Sequence, residues 1–221
     1  MAVELYNEHE QSERVKKWIK ENGMSVVFAI ILALAGIFGW RQWLDFQDGQ
    51  QLAASEAYGA LEMEVAAGRI SDAEAQYETL ESDFGRQIYT ALGALRLASA
   101  YVADERLEEA SELYRTVLDH RRASSLHPVA RLRLSRVLLA MDQPGDAMDV
   151  LDESGPPEGF RAAWDEVRGD ILLAQGMTED ARVAYQSALD NMPGDGGNPQ
   201  MLQIKLDHVG GPIENGAGSG S

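Results

Sequence analysis

Residues 23–43 read GMSVVFAIILALAGIFGWRQW, and no charged residue stands between Glu21 and Arg41. From Met24 to Trp40 the chain offers 17 apolar or small residues. At ~1.5 Å per helical residue they cover about 26 Å, and about 31 Å if the helix runs to Leu44. That matches a bilayer hydrocarbon core of ~30 Å. A core helix of a soluble domain keeps a polar face, and this stretch has none on any side. Trp18 before the run and Trp40, Arg41 and Trp43 at its end are the aromatic and cationic groups that favour a membrane–water interface. Ala-Leu-Ala-Gly at 33–36 resembles a signal-peptidase site. Cleavage there would require a 23-residue leading region with five acids, and the apolar run continues past the cut. The stretch therefore reads as a retained transmembrane helix over 23–44.

The flanks predict its direction. Arg14, Lys16, Lys17 and Lys20 precede the run, whereas Asp45 and Asp48 follow Arg41 and the next base is Arg69. Positive charge accumulates on the cytoplasmic side. Residues 1–22 are thus expected in the cytoplasm and residues 45–209 outside it, in the periplasm of a Gram-negative cell. The formal net charge is −17, and the 14 basic and 31 acidic residues of 45–221 account for all of it. So acidic a domain argues against nucleic acid and against adhesion to anionic lipid. There is no cysteine, which excludes disulfides, thiolate metal sites and cysteine nucleophiles.

Helical periodicity fills 46–192, with Pro and Gly between its segments. The clearest unit is GDILLAQGMTEDARVAYQSALDNMP, residues 169–193. Its Ala181, Tyr185 and Ala188 follow at spacings of four and three, the small–aromatic signature of a tetratricopeptide (TPR) helix pair. Small residues recur at 73, 110, 147 and 181, at intervals of 37, 37 and 34. Helix pairs are expected near 46–67/71–82, 86–103/106–119, 126–141/144–152 and 160–175/178–191. A stack of this kind needs a cap on its last apolar face. Asn198-Pro199 starts a helix well, and Leu202, Leu206 and Val209 share one face. A strand using Leu202, Ile204 and Leu206 in alternation is the competing reading. GGPIENGAGSGS, 210–221, reads as a flexible tail. The fold class is thus all-α: a transmembrane helix, then a TPR-like α-solenoid of about four pairs with a C-terminal capping helix.

The stretches NEHEQSERVKKWIKENG (7–23), the apolar run with GWRQW behind it, and MLQIKLDHV near the end resemble the YfgM-type ancillary subunits of the bacterial SecYEG translocon. The likeness covers about residues 3–209. It implies a single-pass inner-membrane protein with a periplasmic TPR domain. It further implies association with SecYEG and with a PpiD-type peptidyl-prolyl isomerase, in handling newly exported, unfolded proteins. The family supplies no catalytic residue.

Nothing in the residues themselves argues for an enzyme, a cofactor or a metal. His9, His120, His127 and His208 lack ligand spacing, acid pairs such as Glu108-Glu109 and Glu179-Asp180 sit in first helical turns, and Gly194-Asp195-Gly196-Gly197 lacks the strand and lysine of a phosphate loop. Arg115, Arg121, Arg122, Arg131, Arg133 and Arg136 depart from the acidic background, either as helix ends and solvated faces or as a docking patch.

The first helix of each TPR pair lines a groove, and counting back from the small residue of the second helix gives its groove positions. These are Tyr58, Glu62 and Val65, then Leu95, Ser99 and Val102, then Leu132, Arg136 and Leu139, then Glu166, Asp170 and Leu173. A strip formed by Leu95, Val102, Leu132 and Leu139 would suit an unfolded segment or an amphipathic partner helix; the chain's own closing helix would fill it equally well. The competing functions are a scaffold for another envelope complex and a regulator acting on a cytoplasmic signalling partner through residues 1–22.

Overall fold

The computed structural model describes residues 2–193 and 197–211, leaving out the side chains of residues 2–12 and of 14, 15, 19, 26 and 45. Most of the predicted tail, 212–221, and Gly194 to Gly196 lie outside the described residues. Among the described residues there is no strand. The chain divides into two compact units, 1–52 and 53–221.

The first unit is helical. Helix α1 (Ala2–Ala66) contains a segment long and apolar enough to cross a membrane. Phe28, Ile31, Leu34, Ile37 and Phe38 are all exposed. Trp40 and Trp43 stand with ring centroids 5.4 Å apart at the end of the apolar run.

The second unit begins with the last residues of α1 and continues as α2 (Ile70–Phe84), α3 (Ile88–Ala103), α4 (Leu107–Asp119), α5 (His127–Ala140), α6 (Pro144–Asp152), α7 (Arg161–Ala174), α8 (Thr178–Asp190) and α9 (Pro199–His208). The four expected pairs and the capping helix are all present. Asn198 caps α9, its Oδ1 accepting from Met201 N–H at 3.1 Å. A 3-10 turn at Arg121–Leu126 replaces the plain loop expected between the second and third pairs. His120 and His127 have structural work there. His120 Nε2 lies 3.2 Å from the Gly85 carbonyl, and His127 Nε2 lies 3.2 Å from the His120 carbonyl.

The repeat is written into the backbone as well as the side chains. Gly68 (φ 71°), Glu105 (φ 60°), Asp142 (φ 59°) and Gly176 (φ 78°) each occupy the left-handed region just after the first helix of a pair. Each closes that helix with the same two hydrogen bonds. Around Glu105 they run from Glu105 N–H to Val102 C=O and from Arg106 N–H to Tyr101 C=O, and the equivalents recur at Gly68, Asp142 and Gly176. This is the Schellman closure, which satisfies carbonyls that the helix end leaves bare.

Small residues allow the helices of a pair to cross closely. Ala73, Ala110, Ala147 and Ala181 are fully buried. Gly169 on α7 faces Tyr185 on α8, and a Cβ at Gly169 would sit 2.5 Å from Tyr185 Cε1. The ring cannot easily step aside, because Tyr185 is 1% exposed and its hydroxyl is bonded to Asp170 at 2.9 Å. Gly169→Ala gains about 1 kcal/mol of helix propensity, but overpacking costs typically 1–3 kcal/mol and here lies at the upper end. A melting temperature lowered by several degrees is the expected result, and a rise would contradict this crossing.

Two apolar clusters form the interior. The larger joins α1 through α7, from Leu61 to Trp164, Val167 and Ile171. The smaller joins Ala181, Tyr185 and Ala188 of α8 to Leu202, Leu206 and Val209, with Leu172 and Leu173 against it. Helix α7 thus shows one face to each.

Candidate functional site

The predicted groove positions separate into three sets. Leu95 and Leu132 are 7% and 5% exposed and belong to the larger core. The expectation that they line a solvent-reachable strip is corrected: counting back from the small residue fixes the turn of the helix, not its rotation, and these leucines turn inward between neighbouring pairs. Tyr58, Val65 and Leu139 are half-buried against the same core, and Leu173 is half-buried against the smaller one. Tyr58 donates its hydroxyl to Glu62 Oε1 at 2.8 Å.

Val102 and Arg136, in contrast, line an open cleft of about 230 Å³ together with Ser99, Leu107, Tyr114, Arg133, Val137 and Ala140. On α5 the exposed residues of the cleft are therefore Arg133, Arg136 and Ala140, with Val137 buried in the core, one position round from the predicted 132, 136 and 139. The signal was present in the sequence, since Arg133 and Arg136 are three residues apart and so share a helix face.

A hydrogen-bonded chain builds one wall of the cleft. Ser99 Oγ donates to the Leu95 carbonyl at 2.9 Å, which leaves its oxygen as an acceptor. Arg133 Nη1 donates to it at 2.9 Å, and the Tyr114 hydroxyl lies 3.3 Å away. Tyr114 is 2% exposed, so this polar wall is anchored in the core. Arg136 comes within 3.9 Å of Glu166 on α7, and the pair is long and partly exposed, hence weak.

Beyond Glu166 the same face is taken by the protein's own last helix. Lys205 of α9 donates from Nζ to Glu166 Oε1 at 2.7 Å and to both Asp170 oxygens at 2.8 Å. Burial alone would depress the ammonium, but hydrogen bonds and charge from Asp170 and Glu166 outweigh it and raise its pKa. The closing helix therefore occupies the end of the face at α7 and leaves the α3–α5 cleft open. Of the two alternatives for the groove, the closing helix holds at the α7 end only.

The six arginines do not form one patch. Arg131 is 8% exposed, donates to the Val150 carbonyl at 2.6 Å and pairs with Glu153. It holds the end of α6. A separate cluster joins the first two pairs: Glu74 on α2 accepts from the Tyr101 hydroxyl at 2.8 Å and from Arg106 Nη1 at 2.7 Å. The Tyr101 and Arg106 hydrogen bonds hold the Glu74 carboxyl below its ordinary range. Among the described residues no cluster of three or more histidine or acidic side chains could hold a metal ion.

The tetratricopeptide repeat-like domain family matches residues 16–211. The chain is 30% identical over 210 residues to a protein of Escherichia coli (strain K12) named ancillary SecYEG translocon subunit, covering 94% of this chain and 99% of that one. Proteins of the same name in Haemophilus influenzae (27% over 209 residues, 95% of this chain and 100% of theirs) and Neisseria gonorrhoeae (28% over 211 residues, 95% and 100%) are similar along their whole length. An apolar N-terminal helix, four TPR-like pairs, a capping helix and end-to-end similarity converge: the chain belongs to the YfgM-type family of ancillary translocon subunits, built on a tetratricopeptide repeat-like domain.

Proposed function

We propose that this protein is a membrane-tethered binding module that serves protein export beside a SecYEG translocon. Residues 1–22 would lie in the cytoplasm, 23–44 in the inner membrane and 45–209 in the periplasm. The observation that carries the reading is the similarity to the Escherichia coli ancillary subunit, which covers 94% of this chain and 99% of that one. The basic residues before the span and their scarcity after it support the orientation. The open α3–α5 cleft supports a binding role rather than a catalytic one, since its lining is apolar side chains, two arginines and a serine–tyrosine pair. Its occupants on this reading are a PpiD-type isomerase or unfolded exported chains.

Extraction of the full chain in mild detergent should co-purify SecYEG and a membrane-anchored isomerase. A reporter active only outside the cytoplasm should work when fused after residue 209. Recovery of cell-wall machinery or of a soluble cytoplasmic regulator in place of the translocon would overturn the reading. So would activity of a cytoplasmic reporter alone.

A further inference from the structure

We infer that the α3–α5 cleft recognises an acidic amphipathic segment of a partner protein, taking one carboxylate on Arg133 and Arg136 and an adjacent apolar side chain on the floor. The inference rests on the proposal that this face takes polypeptide, and it specifies which.

Three observations support it. The cleft measures about 230 Å³, below the range of about 300–1,000 Å³ usual for free small ligands. It fits anchoring side chains better than a separate molecule. Its apolar floor is Val102, Leu107, Val137 and Ala140, and Val102, at 38% exposure, is uncovered although Ala98 and Tyr101 on α3 are core.

The cationic rim is the second observation. Arg133 is set by its bond to Ser99 Oγ, a neutral oxygen, and among the described residues it has no ion pair. Among the described residues Arg136 has only the contact to Glu166 at 3.9 Å, while Glu166 is already engaged by Lys205 at 2.7 Å. Two guanidiniums therefore stand over an apolar floor with their charge largely uncompensated. The bond to Ser99 holds one of them in place before any ligand arrives, which reduces the entropy lost on binding.

The third observation is the charge of everything else. In a chain of net charge −17, an acidic segment is repelled over most of the surface and accepted only where positive charge is concentrated. The Glu166–Asp170 pair, held by Lys205, marks the boundary beyond which a second acid would be rejected. Attraction at one point and repulsion around it give register as well as affinity.

The test uses the full chain in lipid nanodiscs and three dye-labelled 14-residue helical peptides. They are identical except that one turn from a leucine they carry Glu, Gln or Lys. By fluorescence anisotropy the Glu peptide should bind about tenfold more tightly than the Gln peptide, the value of one charge-assisted hydrogen bond, and the Lys peptide more weakly still. The preference should shrink as salt rises. Arg133→Gln with Arg136→Gln should abolish the Glu preference, while Arg115→Gln with Arg122→Gln, a charge-matched control on other surfaces, should keep it. Equal binding of Glu and Gln peptides, a preference that survives in the cleft variant, or no binding of any peptide would each overturn the inference. If SecYEG still co-purifies in those cases, the failure belongs to the cleft and not to the proposed function.

Discussion

Trp164→Ala should destabilise residues 53–221 by about 3–5 kcal/mol, the cost of deleting a large aromatic from a core that relaxes only in part. Trp164 is 1% exposed and sits on α7, at the end of the larger cluster. For a domain of this size each kcal/mol lowers the melting temperature by about 2–4 °C, so the fall should be on the order of 10 °C. Its indole Nε1 is buried without a hydrogen-bond partner among the described residues. Trp164→Phe should therefore cost much less, because it removes a donor that nothing satisfies. Calorimetry on the three proteins checks both statements. Equal losses for Ala and Phe would mean that the indole nitrogen, not the volume, matters there.

Leu95→Ala and Leu132→Ala should each cost roughly 2–4 kcal/mol of stability, since both side chains lie in the core at 7% and 5% exposure. A thermal melt beside a pull-down of translocon partners provides the contrast. The leucine variants should melt early, whereas Arg133→Gln with Arg136→Gln should melt near the parent and differ only in capture. Leucine variants that melt normally but lose partner would restore the sequence-derived groove.

Much of this fold was legible in the sequence because its signals are local. The uncharged run after Glu21, the alanines at 73, 110, 147 and 181, and the Asn198-Pro199 start each state a short-range preference, and the structure honours all three. The cleft was only half legible. Val102 and Arg136 line it, but Leu95 and Leu132 do not, because a helix's rotation about its axis is set by what packs on both sides of it. That information is distributed over neighbouring pairs rather than contained in any one of them. The Lys205 contacts were illegible for the same reason: Glu166 and Asp170 lie 39 and 35 positions earlier in the chain. Arg131 shows the converse error. An arginine among arginines reads as surface, yet this one serves the end of α6.

The four left-handed turn residues have a practical consequence. Gly68 and Gly176 adopt their positive φ freely, but Glu105 and Asp142 adopt φ of 60° and 59° at a steric cost of order 1 kcal/mol or more each. Glycine at those two places would release that cost, offset in part by the freedom it adds to the unfolded chain. Both residues are exposed, so the exchange would alter no side chain of the core or the cleft. The array thus carries two small adjustable springs at its surface, through which its rigidity could be tuned without redesigning what it binds.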